Sequence, residues 1–174
     1  MRQNSRFAVY YDSYMNNKKK MFIWLLVGVI LIGSLAGVTR TRSMEADSLN
    51  GIFRTGTADI LPDGFWKGSS PNFTTGEWQG KRFDAASGRG VNVFKRGEIL
   101  VEAYPFVLRR TKGVRDTELS VIKVDYALSE NPWYLRWFGF DEIVRIDEHR
   151  YLGKIQLAII PNLPFTVGYF WQEQ

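Results

Sequence analysis

The sequence YLGKIQLAIIPNLPFTVGYFWQ, residues 151–172, holds the clearest pattern in the chain. Two alternating runs flank a Pro- and Asn-containing turn, as expected of two strands joined by a hairpin. In the first run Ile155, Leu157 and Ile159 share one face, opposite Lys154 and Gln156. The second run is apolar on both faces. We therefore expect it to be central in a sheet, or covered outside by a helix, a connecting segment or another protein.

Similar short runs recur from residue 63 onward, separated by Gly, Pro, Asn and Asp. Glycines at 64, 88, 97 and 113 stand at turns where a positive φ is expected. The pattern predicts an all-β domain over residues 63–174, a small antiparallel barrel or sandwich of about eight strands. The predicted strands are Gly64–Ser69, Glu77–Phe83, Gly90–Phe94, Ile99–Arg109, Leu119–Tyr126, Glu142–Ile146, Tyr151–Ile159 and Phe165–Gln172.

One aromatic segment, residues 129–138, interrupts the strands. Pro132 favours a helix start and Gly139 a helix stop, which predicts one or two helical turns. We expect this turn to close one end of the barrel, to touch a membrane or a partner protein, or to grip an apolar ligand. The membrane or partner contacts would be Trp133, Tyr134, Trp137 and Phe138.

Two G-x-W-x-G motifs lie at the first two predicted strands, Gly64–Gly68 in the first and Gly76–Gly80 at the start of the second. This part of the chain resembles the GxWxG family of uncharacterised bacterial proteins. It is also similar to the lipocalin-like, or calycin, barrels, whose first strand carries G-x-W. Val124-Asp125-Tyr126 is similar to their Thr-Asp-Tyr motif, with Val in place of Thr. The resemblance covers residues 62–174.

The resemblance implies an up-and-down barrel, with Trp66 packed across its closed end and no catalytic residues. Independently of the family, a Trp between glycines suits a sharply coiled strand whose missing side chains are replaced by the indole. Trp66 and Trp78 are therefore expected to pack inside the barrel or, with Tyr126, to line an apolar ligand site. The predicted strands are short, which argues against a capacious cavity.

Residues 21–38, MFIWLLVGVILIGSLAGV, carry no charge. As a helix they would extend about 27 Å, close to the hydrocarbon thickness of a bilayer. They predict one uncleaved transmembrane helix ahead of the barrel, the alternative being a cleaved signal peptide. Trp24 is expected to contact lipid or a membrane partner. Residues 39–62 have weak patterning and predict a linker.

The charge of the chain is concentrated in its first quarter. Residues 1–43 hold seven basic groups and one acid, whereas residues 44–174 hold 16 basic and 17 acidic groups. The later part thus lacks the basic surface that nucleic-acid binding needs. More basic residues precede the apolar segment than follow it. This predicts a cytoplasmic N-terminus and an extracytoplasmic β-domain, periplasmic at the inner membrane in a bacterium.

The tail of residues 1–20 is polar but carries four aromatic side chains at helical spacing. We expect them to contact a membrane partner or the lipid interface. Two basic groups are expected to meet lipid headgroups or an acidic partner, one before the apolar segment and one around Gly113. The aromatic residues are Phe7, Tyr10, Tyr11 and Tyr14; the basic residues are Lys18, Lys19, Lys20, Arg109, Arg110, Lys112 and Arg115.

Reactive chemistry has little support in the composition. The chain has no cysteine and one histidine, His149, which stands in a charged predicted turn. Thiolate metal sites and cysteine nucleophiles are excluded, and we expect no metal and no cofactor. An enzyme would depend on the remaining acid–base candidates, Asp125, Asp141, Glu142 and His149.

These observations favour a non-catalytic, single-pass membrane protein whose β-domain packs against other subunits of an integral membrane complex. A respiratory or photosynthetic assembly is the expected setting. The alternative is a membrane-tethered, lipocalin-like binder of a small apolar ligand or lipid. That alternative requires an internal cavity of some hundreds of Å³, which Trp66, Trp78 and Phe83 could instead fill.

Overall fold

The computed structural model describes residues 40–71, 76–160 and 163–174. Its elements in chain order are helix α1 (Arg40–Thr55), strands β1 (Gly64–Ser69), β2 (Trp78–Asp84), β3 (Arg89–Arg96), β4 (Ile99–Lys112) and β5 (Ser120–Asp125), helix α2 (Trp133–Phe138), and strands β6 (Gly139–Asp147), β7 (Arg150–Ile160) and β8 (Leu163–Glu173).

The eight strands form a closed antiparallel barrel in which each strand pairs with the next along the chain. Strand β1 closes the barrel on β8, with Lys67 opposite Glu173 and Ser69 opposite Trp171. The predicted all-β fold is confirmed, and of its two forms the barrel is the one observed. All eight predicted strands are present. Strand β6 begins earlier than predicted because its ladder with β7 already includes Gly139 and Phe140.

Antiparallel pairing divides the connections between two ends of the barrel. Helix α2 and the β3–β4 and β7–β8 connections lie at one end, called here the α2 end. The β2–β3, β4–β5 and β6–β7 connections lie at the other, called the His149 end. Helix α2 begins after Pro132 and ends at Gly139, whose N–H donates to the Leu135 carbonyl. The predicted short helix is thus present.

Residues 39–62, predicted to be a linker, contain the 16-residue helix α1. This corrects the sequence interpretation. Phe53 is fully buried and Leu49 nearly so, and they pack on Val144 and Leu152 on the outside of the barrel. Leu49 and Phe53 are the main apolar residues on the buried face of an otherwise polar helix. The helical periodicity of apolar residues in this segment is therefore weak. The helix also covers Tyr169 of β8. Coverage by a helix is one of the arrangements expected for this strand, which is apolar on both faces.

The polar face of β7 is more buried than its apolar face, contrary to what simple alternation suggests. Lys154 is 2% exposed and Gln156 is fully buried, whereas Ile159 is 46% exposed. Helix α1 and the β4–β5 connection supply polar partners on this side. Lys154 Nζ donates to Asn50 Oδ1 and to Asp116 Oδ2, both at 2.6 Å.

The expected positive φ is present at Gly64, Gly88 and Gly97 but not at Gly113. Gly113 is needed for space instead. A Cβ atom there would lie 2.9 Å from the Asp116 carbonyl oxygen within the β4–β5 connection.

Neither described helix is long and apolar enough to cross a membrane. The tail of residues 1–20 and the predicted membrane segment 21–38 lie outside the described residues.

Candidate functional site: a cavity in the barrel

The barrel contains a cavity of about 330 Å³ toward its α2 end. Tyr134 lines it and is 52% exposed, so the mouth lies beside helix α2. The volume falls within the range of small-molecule sites. Six aromatic side chains make up most of the wall, joined by Leu135 and Ile155: Trp78, Phe94, Tyr104, Tyr126, Tyr134 and Phe170.

The strands that border the cavity are longer than the sequence suggests. Strand β4 has 14 residues, and β7 and β8 have 11 each. The shorter predicted strands argued against such a space. The interior of the barrel has two parts. Aromatic side chains pack without a cavity toward the His149 end, and the cavity lies toward the α2 end.

A buried ion pair lies in the cavity wall. Lys81 on β2 is 2% exposed and Asp141 on β6 is 5% exposed, and Lys81 Nζ lies 3.0 Å from Asp141 Oδ2. The other two ammonium protons go to Asn92 Oδ1, at 2.8 Å, and to the Tyr126 hydroxyl. Lys81 thus has an acceptor for each of its three donors.

The neighbours of Lys81 are also saturated. The Tyr126 hydroxyl donates to Asp141 Oδ2 at 2.8 Å, and Asn92 Nδ2 donates to the Tyr104 carbonyl at 3.1 Å. Trp78 Nε1 donates to Asn92 Oδ1. Within the part of the chain that the structure describes, no hydrogen bond reaches Asp141 Oδ1. This carboxylate oxygen is the acceptor that the cluster leaves open.

Burial sets the protonation behaviour of the cluster. It lowers the pKa of Lys81, and the nearby Asp141 carboxylate offsets only part of that effect. Burial raises the pKa of Tyr126 well above its usual value, and the charge of Asp141 raises it further. Tyr126 is therefore a neutral hydrogen-bond donor and acceptor at physiological pH.

Aromatic rings surround the Lys81 ammonium group. Its Nζ lies 5.2 Å from the ring centres of Phe106 and Phe170, 5.3 Å from Tyr126 and 5.7 Å from Trp78. Contacts within about 6 Å stabilise a desolvated cation electrostatically. The rings compensate part of the hydration that Lys81 loses inside the barrel.

A bulge in β4 turns Tyr104 toward the cavity. The β3–β4 register shifts between Gly90 and Asn92, and Tyr104 has a φ of 58°, unusual for a residue other than glycine. Bulges commonly redirect side chains beside functional sites. Asn131, before α2, holds this region by donating from Nδ2 to the carbonyls of Pro105 and Tyr126, at 2.7 and 2.8 Å.

The candidate lining residues fall in different places. Trp78 and Tyr126 line the cavity, whereas Trp66 lies outside its wall. Trp66 is 4% exposed, packs edge-to-face on Tyr151 with ring centres 4.9 Å apart, and donates from Nε1 to the Asp63 carbonyl at 2.8 Å. Trp66 belongs to the solid part of the core.

The predicted membrane or partner contacts on α2 are largely exposed. Trp133 and Trp137 are 59% and 71% exposed, whereas Leu135 is half-buried against the core. Further exposed apolar residues lie at the same end of the barrel. We call the following set the apolar collar: Ile99, Leu100, Trp133, Tyr134, Trp137, Ile159, Ile160, Leu163, Phe165 and Val167.

The basic residues around Gly113 lie at the opposite end of the barrel: Arg109, Arg110 and Lys112 in the last part of β4, and Arg115 just after it. Arg110 donates to the carbonyls of Ala58 and Asp59, at 2.8 and 2.9 Å, and Lys112 donates to the Glu118 carbonyl at 2.9 Å. Arg109 and Arg115 are exposed. One flat membrane surface could not contact this basic group and the collar together. The remaining predicted contacts, on residues 1–24, lie outside the described residues.

The acid–base candidates are not brought together. Asp141 points into the barrel, while its neighbour Glu142 faces outward, accepting from the Val114 N–H and from Gln156 Nε2. Asp125 lies beside Lys123, and His149 is at the far end, in the β6–β7 turn. Among residues 40–71, 76–160 and 163–174, no three His, Asp or Glu side chains gather as a metal site would need.

Sequence reasoning missed Lys81, Asn92 and Tyr104 as cavity residues. The inward position of Lys81 could have been predicted from the sequence. Lys81 lies two residues before the inward-facing Phe83, and residues two apart in a strand share a face. The direction of Tyr104 could not have been predicted, because it depends on the bulge.

The chain matches no protein-family model, no curated protein and no solved structure. The similarity to GxWxG and lipocalin-like proteins remains a prediction from the motifs.

Proposed function

We propose that this protein is a membrane-tethered, non-catalytic binder of a small, largely apolar molecule. The observation that carries the proposal is the cavity of about 330 Å³ walled by six aromatic side chains. A water molecule, with one non-hydrogen atom, takes about 30 Å³ of liquid volume. On that scale the cavity suits a ligand of roughly a dozen non-hydrogen atoms. Sites of this kind combine apolar walls with few fixed polar groups, as the buried Lys81–Asp141 pair provides here.

The tether is the apolar segment of residues 21–38. The distribution of basic residues supports a cytoplasmic N-terminus at the inner membrane, with the barrel on the extracytoplasmic side. A binder held there would meet apolar compounds that partition into the bilayer.

The test is a fluorescence titration of the full chain in detergent with 1-naphthylamine, an uncharged fluorophore of that size whose emission shifts to shorter wavelength in apolar surroundings. Protein-free detergent provides the blank. Ile155→Phe narrows the cavity, whereas Ile159→Phe places the same ring on an exposed site of the same strand.

We expect saturable binding that Ile155→Phe weakens at least about tenfold and Ile159→Phe leaves unchanged, because lost pocket volume converts directly into lost contacts. No saturable binding, or equal loss in both variants, would refute a ligand site inside the barrel. Circular dichroism of each variant checks that the barrel is intact.

A second candidate function is that of an accessory subunit of an integral membrane complex. The apolar collar favours it, since Trp137 and Ile99 are 71% and 68% exposed and both lie at the α2 end. Exposed aromatic surface of this kind is typical of contacts with partner proteins or the membrane interface. A respiratory or photosynthetic complex is the proposed setting.

Extraction from native membranes in mild detergent, followed by native gel electrophoresis and mass spectrometry, tests this second function. Stoichiometric migration with an integral complex, lost on deleting residues 1–20, would support it. Migration as a 20.1 kDa species alone would contradict it.

A further inference from the structure

The polar groups in the cavity wall carry no net charge. Lys81 and Asp141 face each other at 3.0 Å, and transfer of a proton between them would leave the sum unchanged. Asn92 and Tyr126, which complete the cluster, are uncharged. The cavity therefore offers no excess charge to balance a charged ligand.

The donors of the cluster are all used, whereas one acceptor is not. All three Lys81 donors are used, by Asn92, Tyr126 and Asp141. Tyr126 directs its single proton to Asp141 Oδ2, and both Asn92 amide protons have acceptors, the Tyr104 carbonyl and the Tyr126 hydroxyl. What remains is an acceptor, Asp141 Oδ1, on a side chain that lines the cavity and is 5% exposed.

A carboxylate ligand does not fit this arrangement. It would have to displace Asp141 from Lys81, or stand beside Asp141 as a second buried anion while the Lys81 donors are already taken. An ammonium ligand would add a second cation close to Lys81. The aromatic faces nearest the cluster already surround Lys81, at 5.2 to 5.7 Å.

We propose that the ligand is an uncharged molecule with one hydroxyl or N–H group, which donates to Asp141 Oδ1 while its apolar body occupies the aromatic part of the cavity. This inference rests on the proposed ligand-binding function and specifies its ligand class. It runs against the simplest expectation for a buried lysine, which is capture of an anionic head group.

Four naphthalenes of similar size test the proposal at pH 7. They are 2-naphthol, which offers a neutral donor; 2-methoxynaphthalene, which lacks the donor; 2-naphthoate, which is an anion; and naphthalene itself. Binding to the full chain in detergent is measured by equilibrium dialysis, so that free concentrations are known despite partitioning into micelles.

We expect 2-naphthol to bind about tenfold or more tightly than 2-methoxynaphthalene, because a hydrogen bond to a buried carboxylate is among the stronger ones. We expect 2-naphthoate to bind more weakly than naphthalene. Tighter binding of 2-naphthoate, or equal binding of naphthol and its methyl ether, would overturn this inference while leaving the ligand site standing. Absence of binding by all four would instead remove the proposed function.

Discussion

Lys81 is the centre of the buried polar cluster inside this barrel. Burying an ammonium group is costly, and the protein offsets that cost with three acceptors and four aromatic rings around one nitrogen. The Lys81–Asp141 pair joins β2 to β6 across the interior of the barrel. The same pair fixes the polarity of the cavity wall.

Replacing one member of this pair should be far more harmful than replacing both. We expect Lys81→Met to lower the free energy of unfolding by about 3–5 kcal/mol, since Asp141 then loses its counter-ion. The double variant Lys81→Met/Asp141→Leu should recover most of that loss. Urea denaturation measures both, with Lys67→Met on the exposed face of β1 as the control. A single variant no less stable than the Lys67→Met control would contradict this role.

Tyr151 should make the fold sensitive to alkali. Burial raises its pKa to about 12, and its hydroxyl donates to the Ile60 carbonyl at 3.0 Å. A folded-state pKa above the unfolded value of 10.0 means that its contribution is complete below pH 10 and is lost as the pH rises toward 12.

Denaturation at pH 8, 10 and 11.5 should therefore show less alkaline loss of stability in Tyr151→Phe than in the wild type. The variant itself should be about 1 kcal/mol less stable at pH 8, because it lacks the hydrogen bond. Identical pH profiles for the two proteins would show that Tyr151 ionises as freely in the fold as outside it.

Among the elements, the strands depend on glycines that lie under aromatic rings. Gly153 of β7 is paired with Phe170 of β8, and a Cβ atom on Gly153 would lie 2.2 Å from the Phe170 ring. Gly90 stands in the same relation to Phe106. Because glycine has no side chain, a large aromatic ring can fill the interior at these points while the strands coil tightly.

We expect Gly153→Ala to destabilise the protein by about 1–3 kcal/mol, as overpacking does elsewhere. Gly51→Ala is the matched control, because Gly51 is exposed in helix α1 with open space around it. That change should stabilise by about 0.5–1 kcal/mol through helix propensity. Thermal unfolding followed by circular dichroism checks both signs. A neutral Gly153→Ala would mean that Phe170 moves away without cost.

Phe53 should make the largest single contribution to the docking of helix α1 on the barrel. Phe53 is fully buried between the helix and the barrel, with the Lys154 ammonium group 4.1 Å from its ring centre. We expect Phe53→Ala to cost about 3–5 kcal/mol and Ile52→Ala, at its 37% exposed neighbour, less than about 0.5 kcal/mol. Similar losses for the two variants, measured by urea denaturation, would argue against helix docking through Phe53.

The elements also show how far sequence patterns reach. The eight strands and helix α2 could be predicted because alternation, turn glycines and Pro132 act locally. Helix α1 could not, since its buried face consists chiefly of Leu49 and Phe53 and gains its stability only from contact with the barrel. The burial of Lys154 could not be predicted either, because its partner Asn50 lies in that helix, 104 residues away along the chain.

At the level of the whole molecule, the barrel has two different halves. The His149 end is packed solid around Trp66, Tyr151, Phe83 and Phe106, whereas the α2 end holds the cavity and the apolar collar. The composition shows the high aromatic content of the chain. It does not predict this division of the interior, which depends on the lengths of the strands and on the β4 bulge. The division is what makes ligand binding the best-supported function.

The most direct test of that function is to record the indole N–H signals of the six tryptophans by ¹⁵N NMR spectroscopy, with 2-naphthol added to the full chain in detergent. Trp78 lines the cavity and donates to Asn92, whereas Trp66 lies in the solid part of the core. We expect the Trp78 signal to shift saturably while the Trp66 signal stays unchanged. Shifts confined to Trp133 and Trp137, with Trp78 unaffected, would place the compound on the apolar collar and contradict a ligand site inside the barrel.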